Sequence, residues 1–104
     1  MKIPTSIKVN SHKVKIRRFK NIKEPAMLEA MGYADLPNNE IVLRKEYAGK
    51  TLKESTQTEV FLHEMLHFIS HLYGIPLLEC KVNQLAGALL QVIRDNKINF
   101  LDEG

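Results

Sequence analysis

A chain of 104 residues, 44% hydrophobic and 26% charged, has the length and composition of one small globular domain. No run approaches the ~18 apolar residues of a membrane span, and the opening Met-Lys-Ile-Pro lacks the continuous apolar stretch of a signal peptide, so neither a membrane partner nor export is expected. Net charge is +3 but uneven: residues 1–23 carry eight Lys or Arg and no acid, whereas residues 24–104 carry seven basic and twelve acidic side chains, a net of −5.

In chain order, residues 6–9 and 13–20 read as two strands joined by a turn at Asn10-Ser11-His12. Lys13, Val14, Lys15, Ile16 and Arg17 alternate, which points Val14 and Ile16 inward. Arg17-Arg18 breaks that alternation and predicts a bulge or strand end. The basic side chains read as the solvated outer face of a hairpin, where Lys and Arg also discourage edge pairing. An acidic partner or nucleic acid would suit the same arm, but its only aromatic is Phe19, which leaves little for base stacking. The solvated face is therefore favoured over nucleic acid for this arm.

Residues 26–31 suit one or two helical turns, with Pro25 at the first position and Gly32 past the end. Pro37-Asn38-Asn39 is a turn signal between short strands at 33–36 and 40–44, the second carrying Ile41, Val42 and Leu43. Residues 46–50 read as a loop. Thr51 to Glu54 and Thr56 to Glu59 each fit a capping box, so a helix is predicted to start between 51 and 57 and to end at Gly74, with Pro76 just beyond. Phe61, Met65, Phe68, Ile69 and Leu72 form one stripe of this helix, and Leu62, Leu66 and Tyr73 widen it. A helix so apolar is buried on most sides. A second helix, from 77 to about 94, is expected to turn Leu78, Val82, Leu85, Leu89 and Val92 inward, and the tail from Ile98 to pack through Ile98, Phe100 and Leu101. The single cysteine, Cys80, has no partner for an internal disulfide, which fits a reducing, cytoplasmic location. The expectation is therefore one α+β domain over 1–104. Residues 1–50 would be mainly β with a short helix and 51–104 mainly α. An antiparallel or mixed sheet of three to four strands would pack on the first long helix.

The chemistry lies in that helix. His63-Glu64-Met65-Leu66-His67 is a His-Glu-x-x-His pattern. Residues four apart share a helix face, so His63 and His67 can offer two imidazole nitrogens to one ion. Glu64 is turned by about 100° from His63 and can reach a water on that ion. Zinc suits imidazole, but a catalytic site needs a third ligand and an open position. His71 lies eight residues after His63, about 12 Å along the axis, too far for all three imidazoles to share an ion on a straight helix. It remains a candidate for touching substrate. Asn83 offers only a neutral amide, although strictly antiparallel helices would bring it nearer His67 in height. Glu79, at the start of the second helix, offers a carboxylate, and two His with one Glu is a catalytic zinc set. The chemistry favours Glu79, provided that the helices cross at an angle that tilts it toward the site. Strand 40–44, with Ile41, Val42 and Leu43, is the candidate ledge for an extended peptide. Tyr33, Tyr47, His71 and Tyr73 are unranked candidates for stabilising an oxyanion.

The segments Phe61-Leu-His-Glu-Met-Leu-His-Phe68 and Leu89-Leu-Gln-Val-Ile-Arg-Asp-Asn96 resemble the small His-Glu-x-x-His proteins encoded by bacteriophages and prophages, which are related to minimal gluzincin metallopeptidases. The likeness covers Thr56 to Asn96 best. It implies a zincin-like fold with a small sheet on the active-site helix, zinc on His63, His67 and Glu79, and Glu64 as base. The expected activity is zinc-dependent hydrolysis of peptide bonds. A second reading is a metal-binding phage-type protein with a regulatory or binding role and little proteolysis, and a third is a helical core whose His pair binds no metal.

Overall fold

The computed structural model describes residues 2–20 and 30–97. Its sheet is built from two hairpins, each fixed by its turn. Strand β1 (Ser6–Val9) and strand β2 (His12–Phe19) are joined by Asn10 and Ser11 alone, with φ of 46° and 69°. Positive φ at both positions is the type I′ loop, whose backbone twist matches the right-handed twist of the strands. His12 therefore leaves the expected three-residue turn and opens β2 opposite Val9. Strand β3 (Gly32–Asp35) and strand β4 (Glu40–Arg44) form the second hairpin, with Ala34 opposite Ile41.

The two hairpins meet through a parallel pairing of β2 with β4, from Lys15 opposite Glu40 to Phe19 opposite Arg44. The order is β1-β2-β4-β3, a mixed four-stranded sheet. The pairing runs unbroken through Arg17 and Arg18, so the bulge expected there does not form. Arg18 instead continues the inward row of Val14 and Ile16. Its guanidinium donates to Gln57 Oε1 and, at 3.3 Å, to Glu54 Oε2, both in the next helix. The expected loop at 46–50 is a small ribbon of β5 (Glu46–Tyr47) and β6 (Lys50–Thr51), turned by Ala48 and Gly49, both at positive φ.

Helix α1 runs Glu54–Tyr73 and helix α2 Glu79–Asn96. Thr51 lies in β6, and Lys53 caps α1 without a side-chain bond, so neither predicted capping box is used. Gly74 ends the helix in the left-handed region at φ 65°, as its sequence position predicts. The tip of the first hairpin holds this end: Asn10 Nδ2 donates to the Leu72 carbonyl at 2.9 Å, and the Asn10 amide to the Tyr73 hydroxyl at 3.2 Å.

The core lies between the sheet and α1. Val14, Ile16, Ile41 and Leu43 pack with Phe61, Leu62, Leu66 and the fully buried Phe68. Each such side chain contributes about 1.5–3 kcal/mol relative to exposure. Helix α2 covers the other flank of α1 with Val82, Ala86 and Leu90. The expected inner face is thus rotated: Leu78, Leu85 and Val92 are exposed, and only Val82 and the partly buried Leu89 of the predicted set pack on the core. The result is an α+β fold with a mixed four-stranded sheet followed by two helices. The helical turns expected over 26–31 fall largely outside the described residues, and so does the tail from Ile98. Among the described residues no helix is long and apolar enough to cross a membrane.

Candidate metal centre

His63, Glu64 and His67 sit in the middle of α1, where the core row of Phe61 and Phe68 fixes the rotation of the helix. His63 and His67 emerge on the flank that meets α2, and both rings are half-buried. Their centroids are 4.9 Å apart, with ring planes inclined at 67°. The two Nε2 atoms approach to 3.2 Å.

Glu79 is the first residue of α2. Its Oε1 lies 2.7 Å from His63 Nε2 and its Oε2 3.0 Å from His67 Nε2. The height mismatch anticipated for antiparallel helices is overcome at the link: Leu78 is extended at φ −74°, ψ 151°, and starts α2 on the flank beside the histidines. The three ligand atoms lie within 4.8 Å of one another.

The donor set tests whether a cation fits. If both Nε2 atoms carried hydrogens to bond Glu79, those hydrogens would also face each other across 3.2 Å. A shared cation removes the conflict, because neutral imidazoles then present lone pairs. Ligands on a tetrahedral zinc at about 2.0–2.1 Å stand about 3.3 Å apart, close to the spacings here. Two nitrogens and a carboxylate oxygen are the donor types that zinc takes. The residues fit such an ion.

Glu64 is buried, 7% exposed, and its side chain has no hydrogen-bond partner among the described residues. Burial, and then the negative charge of Glu79, push its pKa up from 4.5 to about 8. Its oxygens reach the cavity rather than being sealed in the core.

A cavity of about 340 Å³ opens next to these groups. His63 and Glu64 form one wall; Met31, Gly32, Glu59, Val60 and Asn83 complete it. Gly32 is there because nothing larger fits: a Cβ on it would stand 2.7 Å from Val60 Cγ1 and 2.8 Å from the Val42 carbonyl oxygen.

Several expected site residues lie elsewhere. Ile41, Val42 and Leu43 cannot form a substrate ledge, because β4 lies between β2 and β3 and all three side chains are buried. The parallel β2–β4 pairing consumes the edge that a peptide would need. The terminal strand on the site's side is β3, whose Gly32 lines the cavity. His71 is exposed in the last turn of α1, outside the triad. Tyr73 is engaged with Asn10, Tyr47 stacks under the Arg44 guanidinium at 5.6 Å, and Tyr33 alternates with the core-facing Ala34, so no tyrosine is among the lining residues. The neutral polar group that does line the cavity is Asn83. Glu59 is a lining residue that sequence reasoning passed over, although its place one turn before His63 was readable. Comparison with known protein families, with characterised proteins and with solved structures gave no match.

Proposed function

We propose that the protein is a zinc-dependent peptidase of minimal, zincin-like design, with His63, His67 and Glu79 as ligands and Glu64 as general base. The observation that carries this reading is the convergence of two Nε2 atoms and one carboxylate within 4.8 Å, next to a buried carboxyl and an open cavity. Zinc held there would supply Lewis acidity and lower the pKa of a water toward neutrality.

The chain's own residues do the rest. His63 and His67 offer neutral imidazoles, and Glu79 balances part of the cation's charge. Glu64 takes the proton of the attacking water and hands it to the leaving amine. A cation at the triad lowers the pKa of Glu64, so the carboxylate form is available near neutral pH. Asn83 offers an amide N–H to the developing oxyanion. An extended peptide would lie along terminal strand β3 and enter the cavity at Gly32.

The test is cleavage of a broad peptide library by zinc-loaded protein, with Glu64→Gln alongside. The reading expects cleavage by wild type and its loss in a variant that still holds zinc. Wild-type protein that carries zinc and cleaves no peptide would leave a metal-binding role without proteolysis.

A further inference from the structure

We propose that Glu59 makes the cavity beside the triad a receptor for a cationic side chain, so that the site selects peptides with lysine or arginine next to the scissile bond. This rests on the peptidase reading for its biological sense, but not for its test.

Two rows of residues face each other across the α1–α2 seam. On α1 they are Glu59, His63 and His67, each one turn apart; on α2 they are Glu79, Asn83 and Gly87. The rows run in opposite directions, with the metal ligands at one end and Glu59 and Gly87 at the other. Glu59 Oε1 lies 3.1 Å from where a Cβ of Gly87 would stand, so the carboxylate rests against bare helix backbone. Glycine inside a helix is unfavourable relative to alanine. Here it makes room for the acid.

Glu59 is exposed and has no ion pair or hydrogen bond among the described residues. It stands about 6 Å along the axis from His63, four residues at 1.5 Å each. Met31, Gly32 and Val60 supply an apolar strip in a lining that also holds His63, Glu64 and Asn83. That combination matches a lysine or arginine: the aliphatic stem lies on the apolar wall while the charged head reaches the carboxylate. Among the described residues no Lys or Arg lines the cavity, so away from the triad an acidic side chain would meet the like charge of Glu59.

The experiment titrates zinc-loaded Glu64→Gln protein calorimetrically with blocked hexapeptides that differ only in lysine, norleucine or glutamate at one position. The lysine peptide is expected to bind about three- to fivefold more tightly than the norleucine peptide. Adding Glu59→Gln should cut that preference below about twofold, and Glu59→Lys should turn it toward glutamate. In the protein that keeps Glu59, raising the salt should also shrink the preference, which tests the charge without any change at position 59. Equal binding of lysine and norleucine peptides, no binding of either, or a preference that survives Glu59→Gln overturns the proposal. Cleavage by wild type separates the two readings. Lysine-selective binding without cleavage sinks the peptidase reading alone, whereas cleavage indifferent to lysine sinks the subsite alone.

Discussion

Glu79 Oε1 stands 2.7 Å from His63 Nε2, although the two residues open one helix and occupy the third turn of another. The same carboxylate reaches His67 with its second oxygen at 3.0 Å. A short link that reverses the chain and an extended residue before α2 bring three donors from two helices to one point. Glu64, one residue from His63, is carried by the same helix into a buried position facing the cavity.

Glu64→Gln keeps the shape of the side chain and removes its basicity. Cleavage should fall by about 10²–10⁴-fold, the usual contribution of a general base, with zinc content unchanged. Elemental analysis and single-turnover cleavage of one preparation check this. Loss of zinc together with activity would give Glu64 a structural role instead.

The metal-free protein should lose stability as pH rises through the window set by Glu64. Its pKa is about 8 when folded and 4.5 as the ordinary value. The folded state therefore holds a proton that the unfolded chain releases, and stability falls between about pH 4.5 and 8, by up to about 1.4 kcal/mol per pH unit. Below that window this group gives no slope. Urea unfolding of zinc-free protein across pH 4–9 measures it, and Glu64→Gln should remove its share of the slope. Zinc should shrink the slope as well, because the cation stabilises the carboxylate.

Gly32→Ala places a methyl 2.7 Å from Val60 Cγ1 and 2.8 Å from the Val42 carbonyl oxygen. The β3–α1 contact must open, at a cost of about 1–3 kcal/mol. Thermal unfolding reads this directly, and Val60→Ala in the same chain should recover part of the loss by removing one of the two clashes. An unchanged Tm in Gly32→Ala would mean that β3 adjusts freely there.

Asn10→Ala removes the bond from Nδ2 to the Leu72 carbonyl and disturbs a turn residue at φ 46°. A loss of about 1–2 kcal/mol is expected from the lost hydrogen bond and the strained turn together. Hydrogen exchange should localise the effect to the last turn of α1, sparing the amides around His63.

What the sequence made legible was local. The His63 and His67 spacing, the strand alternation of Val14 and Ile16, and the stop at Gly74 each depend on residues within a turn or two. Ligand chemistry favours Glu79 over Asn83, against a simple height argument that assumes strictly antiparallel helices. The substrate ledge at Ile41 to Leu43 failed because nothing in residues 40–44 announces the parallel pairing with β2, some 25 positions earlier. Helix α2 is rotated because Val82, Ala86 and Leu90 form the seam with α1, and small Ala86 does not advertise itself as core beside Leu85. Glu59 gains meaning only when Gly87 is seen opposite it.

The most direct measurement is the zinc stoichiometry and affinity of purified protein, by equilibrium dialysis and elemental analysis, for wild type, His63→Ala and Glu79→Gln. One zinc per wild-type chain is predicted, with affinity weakened by more than about 100-fold in each variant, as expected for losing one of three protein ligands. Zinc held no more tightly by wild type than by the two variants would contradict a metal centre at His63, His67 and Glu79.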